Sequence, residues 1–248
     1  MYHGRFRRSH YEAGCHWGNM LYQNGKIIAQ NPTFNITGER EKFAKECLPI
    51  YEKYYPEVLG EIHGLADGQK GSYEDFCTFL LSMYCFEFQN HCTCFVLKDK
   101  DHLIFGRNSD FLVELEKLYM NCLYQLDGGY HFNGNTTAFI EMEDGINEYG
   151  LAIGLTFVYP KITGAGFNSG MLVRYLLEKC RTTDEVIERL NVLPIASQQT
   201  LTVMDSIGNF AVIECNCWHV EVIQGTEHDE FTGLREIHHA ESFTKIPG

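Results

Sequence analysis

"NHCTCFVLKDKDHLIFGRNSDF", residues 90–111, is the stretch on which the reading of this chain turns. "CTCFVL" and "HLIFG" are short apolar runs, and the polar "KDKD" between them reads as a loop, so the two pair as a β-hairpin. The hairpin places Cys92 on one strand and brings Arg107 and Asp110 back on or just after the other, which makes them neighbours in space. A thiol attacks only as thiolate and needs a base or a positive field to become one. Arg107 beside the thiol favours the thiolate, and Asp110 is suited to holding an amine. None of the eleven histidines sits in a context that marks it as the base. An N-terminal cysteine carries its own base, an α-amine with pKa of about 7.7–8.0. That solution requires the bond between His91 and Cys92 to be cut, and the thiol can cut it through an N-to-S acyl shift. The competing reading is an ordinary hairpin with a buried cysteine and a solvated Arg–Asp pair, because surface ion pairs are common and weak.

Upstream of the hairpin, residues 1–90 read as mainly helical. Phe43, Cys47, Tyr51, Tyr54 and Val58 follow helical spacing. Pro49 and Pro56 are expected to kink or restart that helix, because each removes a backbone donor. Pro56 suits the first turn of a new helix, with Gly64 and Gly68 punctuating its end. A third helix is expected from Ser72, with Asp75 as capping partner, running through the apolar "FCTFLLSMYCFEF".

Downstream the period shortens. "LEKLYMNCLYQL", "TTAFIEM" and "GLAIGLTFVYP" read as strands, the first with a helical alternative. "NSGMLVRYLLEKC" is a helix capped near Asn168 or Ser169, and Thr182 with Glu185 makes a capping box for "DEVIERL". "QTLTVMD", "NFAVIEC" and "WHVEVI" return the chain to strands. Clustered strands of this kind imply an α+β fold with antiparallel sheets. Residues 226–248 show neither alternation nor a helical stripe and read as an irregular tail.

The chain has 248 residues and a formal net charge of −13, which argues against nucleic acid or an anionic membrane as partner. No apolar h-region follows the start and no run approaches the length of a membrane span, so the expected location is the cytoplasm. Ten cysteines without a secretory signal read as free thiols.

Four ordered motifs carry a family resemblance. "YEAGCHWG" is similar to a "GxxYExGxxxG"-like opening, and "YYPEVLGEIHGLADGQKGSYEDFCTFLLSMYCFEF" to a propeptide segment and its following helix. "CTCFVLKDKDHLIFGRNSDF" resembles a nucleophile strand with its "GRNxDF" return, and "EDGINEYGLAIGLTFVYP" a "GxNExGLAxxGLNF" strand pair. On these the chain resembles the N-terminal-nucleophile hydrolases. Within them it is most similar to the isopenicillin N (acyl-coenzyme A:6-aminopenicillanic acid) acyltransferase group, and more distantly to choloylglycine hydrolases.

The resemblance implies a four-layer αββα sandwich of two antiparallel sheets between helices, activated by self-cleavage at His91–Cys92. It divides the chain into a helical propeptide-like segment (1–91), a hydrolase-like core (92–225) and the tail. It makes Cys92 the nucleophile, Asp110 the holder of the freed amine and Arg107 the neighbour of the thiolate. Thr156, in "GLT", falls where choloylglycine hydrolases carry an oxyanion-hole Asn. The implied substrate is a small-molecule linear amide or acyl donor, with no cofactor and no metal. The family also ends a later strand in a "TNH"-like motif whose Asn donates to the oxyanion. No asparagine follows Asn216 here, so a shortened C-terminus is expected. One missing oxyanion donor costs about 10²–10³ in turnover.

Two other readings stand beside this one. The first is a non-catalytic family member that keeps only the fold. The second is a zinc module built from the C-x-C pairs at 92–94 and 215–217, although the familiar knuckle spacing is C-x₂-C.

Overall fold

The chain enters the fold as a strand. In the computed structural model, which describes residues 2–86, 91–110 and 118–224, β1 (Tyr2–Arg8) lies at one edge of the main sheet. This departs from the helical reading of the N-terminal region. Only Phe6 of this strand is buried, so no alternation marks it. Ser9 then closes a capping box with Glu12 and starts α1 (His10–Gln23). Thr37 caps α2 (Gly38–Tyr54), which buries the expected stripe of Phe43, Cys47 and Tyr51. α2 runs on through Pro49, while Pro56 opens α3 (Pro56–Gln69) as a first-turn residue.

Gly64 and Gly68 do not end α3; they lie inside it. A Cβ on either would collide with the backbone of α1, and one on Gly14 or Gly18 would collide with α3. Their role is to let two helices meet backbone against backbone. α4 (Tyr73–Leu81), capped by Ser72, stops earlier than its apolar run. The chain turns there, and Tyr84 adopts a φ of 61°.

The hairpin forms as read, from β2 (His91–Lys98) and β3 (Leu103–Asp110) in antiparallel register. β4 (Met120–Leu126), β5 (Phe132–Thr136), β6 (Asp144–Asn147) and β7 (Ala152–Phe157) follow. "TTAFIEM" is therefore not a strand beyond its first residue. Residues 137–143 turn instead, with Phe139 at a φ of 60°. α5 (Ser169–Lys179) is capped by Asn168 and α6 (Thr183–Leu190) by Thr182. β8 (Gln199–Met204), β9 (Phe210–Cys215) and β10 (Val220–Gln224) complete the described chain. The segment read as an irregular tail lies outside the described residues.

The fold is α+β. Its main sheet has eight strands in the order β1-β4-β5-β6-β7-β8-β9-β10. All neighbours are antiparallel except β1 and β4, which run parallel, a correction at one edge to the all-antiparallel expectation. Pairing of Asp144 with Gly154 and of Gly145 with Ile153 sorts the sheet's two faces. On one, Gly145 packs against Leu177 of α5; on the other, Gly154 packs against Cys94 of the hairpin. Helices thus cover one face and the hairpin the other. The hairpin's outer face is exposed at Ile104, Asn108 and Asp110, so the described residues show three of the four expected layers. Among them, no helix is long and apolar enough to cross a membrane.

Candidate active site

Strand ends make this site. β6 stops pairing with β7 beyond Asp144 and Gly154, and the last bond on that side runs from Leu155 N to Glu143 O at 2.8 Å. The next groups of β7 on that side, the Leu155 carbonyl and the Phe157 N–H, lie beyond the last bond to β6. Buried backbone groups must be satisfied somewhere, and the hairpin supplies the partners. Arg107 Nε donates to Leu155 O at 2.8 Å, and Phe157 N–H donates to the sulfur of Cys92. Gly154 permits the approach, since a Cβ there would press on Cys94, Phe105 and Arg107.

Arg107 is the hub. Its side chain is almost fully buried, and Nη2 donates to Cys92 Sγ at 3.1 Å. Nη1 reaches Ser109 Oγ at 2.6 Å, Asp144 Oδ2 at 3.2 Å and Glu143 Oε2 at 3.3 Å. Glu143 is itself surrounded by donors: Ser109 Oγ at 3.1 Å, Thr137 N at 3.0 Å and Thr137 Oγ1 at 2.5 Å. Asp144 accepts from Asn135 Nδ2 at 2.6 Å.

The charges follow from this geometry. Burial pushes the Cys92 thiol up, and Arg107 and the Phe157 N–H pull it only part of the way back. Burial raises the Asp144 carboxyl in the same way, against Arg107 and Asn135. For Arg107, burial alone would favour the neutral form, but Cys92, Glu143 and Asp144 together outweigh it and raise its pKa. Cys94 is pushed to about 11 by burial. The site is a neutral thiol beside a fixed guanidinium that two carboxylates share.

Of the residues expected here, Cys92 and Arg107 come together. Asp110 does not join them. It pairs across from His91, one position out of phase with Cys92, which pairs with Ser109. Side chains alternate along a strand, so Asp110 stands on the hairpin's exposed face, accepting from Asn108 Nδ2 at 2.6 Å. The Thr156 hydroxyl engages Cys94, and the backbone donor at Cys92 comes from the next residue. Ser109, Glu143, Asp144 and the Phe157 N–H are additions to the predicted set. The signal for the acids was present in "EMEDG", whose Glu143 and Asp144 stand at the start of β6. The C-x-C pairs form no zinc set: among the described residues, no group of three or more His, Cys, Asp or Glu is placed to hold a metal.

A buried cysteine hydrogen-bonded by an arginine and by a strand-end N–H is a thiol centre on an α+β scaffold. The sequence model of the acyl-coenzyme A:6-aminopenicillanic acid acyl-transferase family matches residues 96–232, more than half of the chain, and the chain belongs to that family. The match takes in Arg107, Asp110 and Thr156 and begins just after Cys92. No curated protein matches the sequence. Among solved structures, a mutant of the conjugated bile acid hydrolase from Clostridium perfringens overlays with a TM-score of 0.42 at 19% identity, over 54% of this chain and 51% of that one. Penicillin V acylase from Agrobacterium tumefaciens overlays at 0.34 and 16%, over 57% and 44%. The chain spans about half the length of these structures. Overlays this partial add nothing to the assignment, which rests on the family model.

Proposed function

We propose that this chain is a latent N-terminal-nucleophile hydrolase or acyltransferase of linear amides, with Cys92 as nucleophile. The observation that supports it is Arg107 Nη2 at 3.1 Å from Cys92 Sγ, with the Phe157 N–H on the same sulfur, in a member of this family. In the activating step Sγ bonds to the His91 carbonyl carbon, the His91–Cys92 C–N bond breaks, and the thiol proton passes to the departing nitrogen. Water then cleaves the thioester and leaves His91 with a carboxylate. The freed α-amine now takes the thiol proton when Sγ attacks the amide of a small-molecule substrate, and returns it to the leaving amine. Water or a second amine resolves the acyl-enzyme.

Other groups take roles around that step. The Phe157 N–H, on the sulfur in the uncut chain, takes the part of an oxyanion donor. Asp110, opposite His91, reaches the freed amine only by giving up Asn108. Thr156 holds Cys94 beside the nucleophile. Residues 1–91 act as the propeptide-like part and Cys92 begins the catalytic part.

Intact mass with N-terminal sequencing tests this reading. An active preparation is expected to contain fragments of 91 and 157 residues, the second being 248 minus 91, and Cys92→Ala is expected to stay whole. Cleavage that persists in Cys92→Ala means an outside protease and ends the self-processing account. A second reading, a non-catalytic member, is favoured by the thiol's burial and by Asp110 facing away. An uncut chain with no turnover on amides establishes it.

A further inference from the structure

Arg107 and Ser109 are the groups best placed to stabilise a Cys92 thiolate; Nη2 of Arg107 stays on Cys92 Sγ, while its Nη1 and the Ser109 hydroxyl are engaged elsewhere. Ser109 is the direct cross-strand partner of Cys92, on the same face of the hairpin. Its hydroxyl accepts from Arg107 Nη1 at 2.6 Å and donates to Glu143 Oε2 at 3.1 Å. Nη1 of Arg107 also turns to Glu143, at 3.3 Å. Glu143 is buried and pinned on its other oxygen by the backbone and side chain of Thr137. It cannot swing away. Every contact it makes is with a donor, as an acceptor-only carboxylate requires.

We propose that Glu143 is a positioning residue that governs the reactivity of Cys92: by taking the Ser109 hydroxyl and sharing the Arg107 guanidinium, it keeps the nucleophile a neutral thiol in the uncut chain. This rests on the reading of Cys92 as nucleophile, and it adds a brake to it. A carboxylate near a thiol also repels the thiolate directly, so both effects have the same sign. The charged and titratable groups around the sulfur and its arginine come from several elements. Arg107 is on β3 and Cys94 on β2. Glu143 and Asp144 stand at the start of β6. Tyr84 follows α4 and interacts with Arg107, Glu143 and Cys92. Tyr119, beside Asp144, completes the set through its interactions with Arg107 and Glu143. Among these only Glu143 touches both donors, because Asp144 touches Arg107 alone.

The test is the pH dependence of iodoacetamide alkylation at Cys92, followed by peptide mass mapping on the full chain. The measurement is read on the uncut chain, resolved from any cut product by intact mass. Glu143→Gln is expected to alkylate about tenfold faster at pH 7, with its midpoint shifted down by about one pH unit, since a unit of pKa is a factor of ten in thiolate. Glu143→Asp, which keeps the charge, is expected to stay near the parent profile. Superposed profiles for Glu143→Gln and the parent overturn the proposal. So does faster alkylation of Cys92 and Cys94 together with no shift in midpoint, which reports loosened packing. Failure of the nucleophile reading shows separately, as cleavage or turnover that survives Cys92→Ala while the Glu143 shift is still seen.

Discussion

At pH 7 the Glu141→Gln variant is expected to be more stable than the parent chain, and the two are expected to converge below pH 4.5. Glu141 sits in the 137–143 turn with no solvent exposure. Its Oε1 accepts from Asn168 Nδ2 at 3.3 Å, and its Oε2 has no partner among the described residues. Burial pushes this carboxyl far above its ordinary 4.5, Asn168 opposes only weakly, and nearby Glu143 adds to the rise. The folded chain therefore keeps the proton, while the unfolded chain releases it above pH 4.5. Stability conferred by a group raised in this way is full below its unfolded pKa and is lost as pH rises, by about 1.4 kcal/mol per unit. Glutamine has the same shape and no proton to hold. Urea unfolding of both chains from pH 4 to pH 7 checks this. A gap that does not widen with pH, or a variant weaker throughout, contradicts it.

That residue shows what the sequence could not reveal. Glu141 reads there as part of a strand, "TTAFIEM", because Phe139, Ile140 and Met142 supply apolar content. The turn that replaces the strand is bought by tertiary packing: Met142 N bonds to Gly170 O and Glu143 N to Asn135 O. Neither partner is local. β1 was hidden for the same reason, since its register runs against β4, from Tyr2 opposite Met120 to Arg8 opposite Leu126. By contrast the hairpin, β7 and β8 to β10 were legible, because each is a short run rich in apolar and β-branched residues and is bounded by turn residues.

The candidate site was legible to the same limit. Loop length decides which residues of a hairpin share a face, and here Lys98 pairs with Leu103. That register puts Cys92, Cys94, Arg107 and Ser109 inside and Asn108 and Asp110 outside. Spacing alone brought Arg107 and Asp110 equally near the thiol; the period of two separates them. Glu143 and Asp144 come from another strand, and no local pattern announces that they share an arginine with the nucleophile.

Arg174→Met is expected to cost about 3–5 kcal/mol at neutral pH, the range for a buried charge network that loses one partner. Arg174 on α5 is fully buried, and it ties α5 to α3 directly and to α1 through Glu178. Nη1 donates to Glu61 of α3 and to Ile140 O, both at 2.9 Å; Nη2 also meets Glu61, and Nε donates to Glu178 at 3.0 Å. Glu178 in turn meets His10 of α1 at 3.0 Å, and the guanidinium lies 4.3 Å from the Tyr124 ring centroid. Without the arginine, Glu61 stays buried without its cation and Glu178 is left to His10. The pH profile is a second readout. Burial alone would raise Glu178, but Arg174 and His10 reverse this and hold it at about 2. A group lowered from 4.5 stabilises the fold above that pH and ceases to as pH falls toward about 2, so the parent loses stability across that window. Arg174→Met should lose much less there. Adding Glu61→Gln and Glu178→Gln to it should recover part of the neutral-pH loss, because the uncompensated charges are then gone. The same network spans the His91–Cys92 bond, with His10 and Glu61 before it and Arg174 and Glu178 after. A cut chain is thus expected to elute as one species in size-exclusion chromatography, and the Arg174→Met chain to separate at lower urea. If the single variant unfolds with the parent at every pH, this cluster carries no net stability and cannot be what keeps the two segments together.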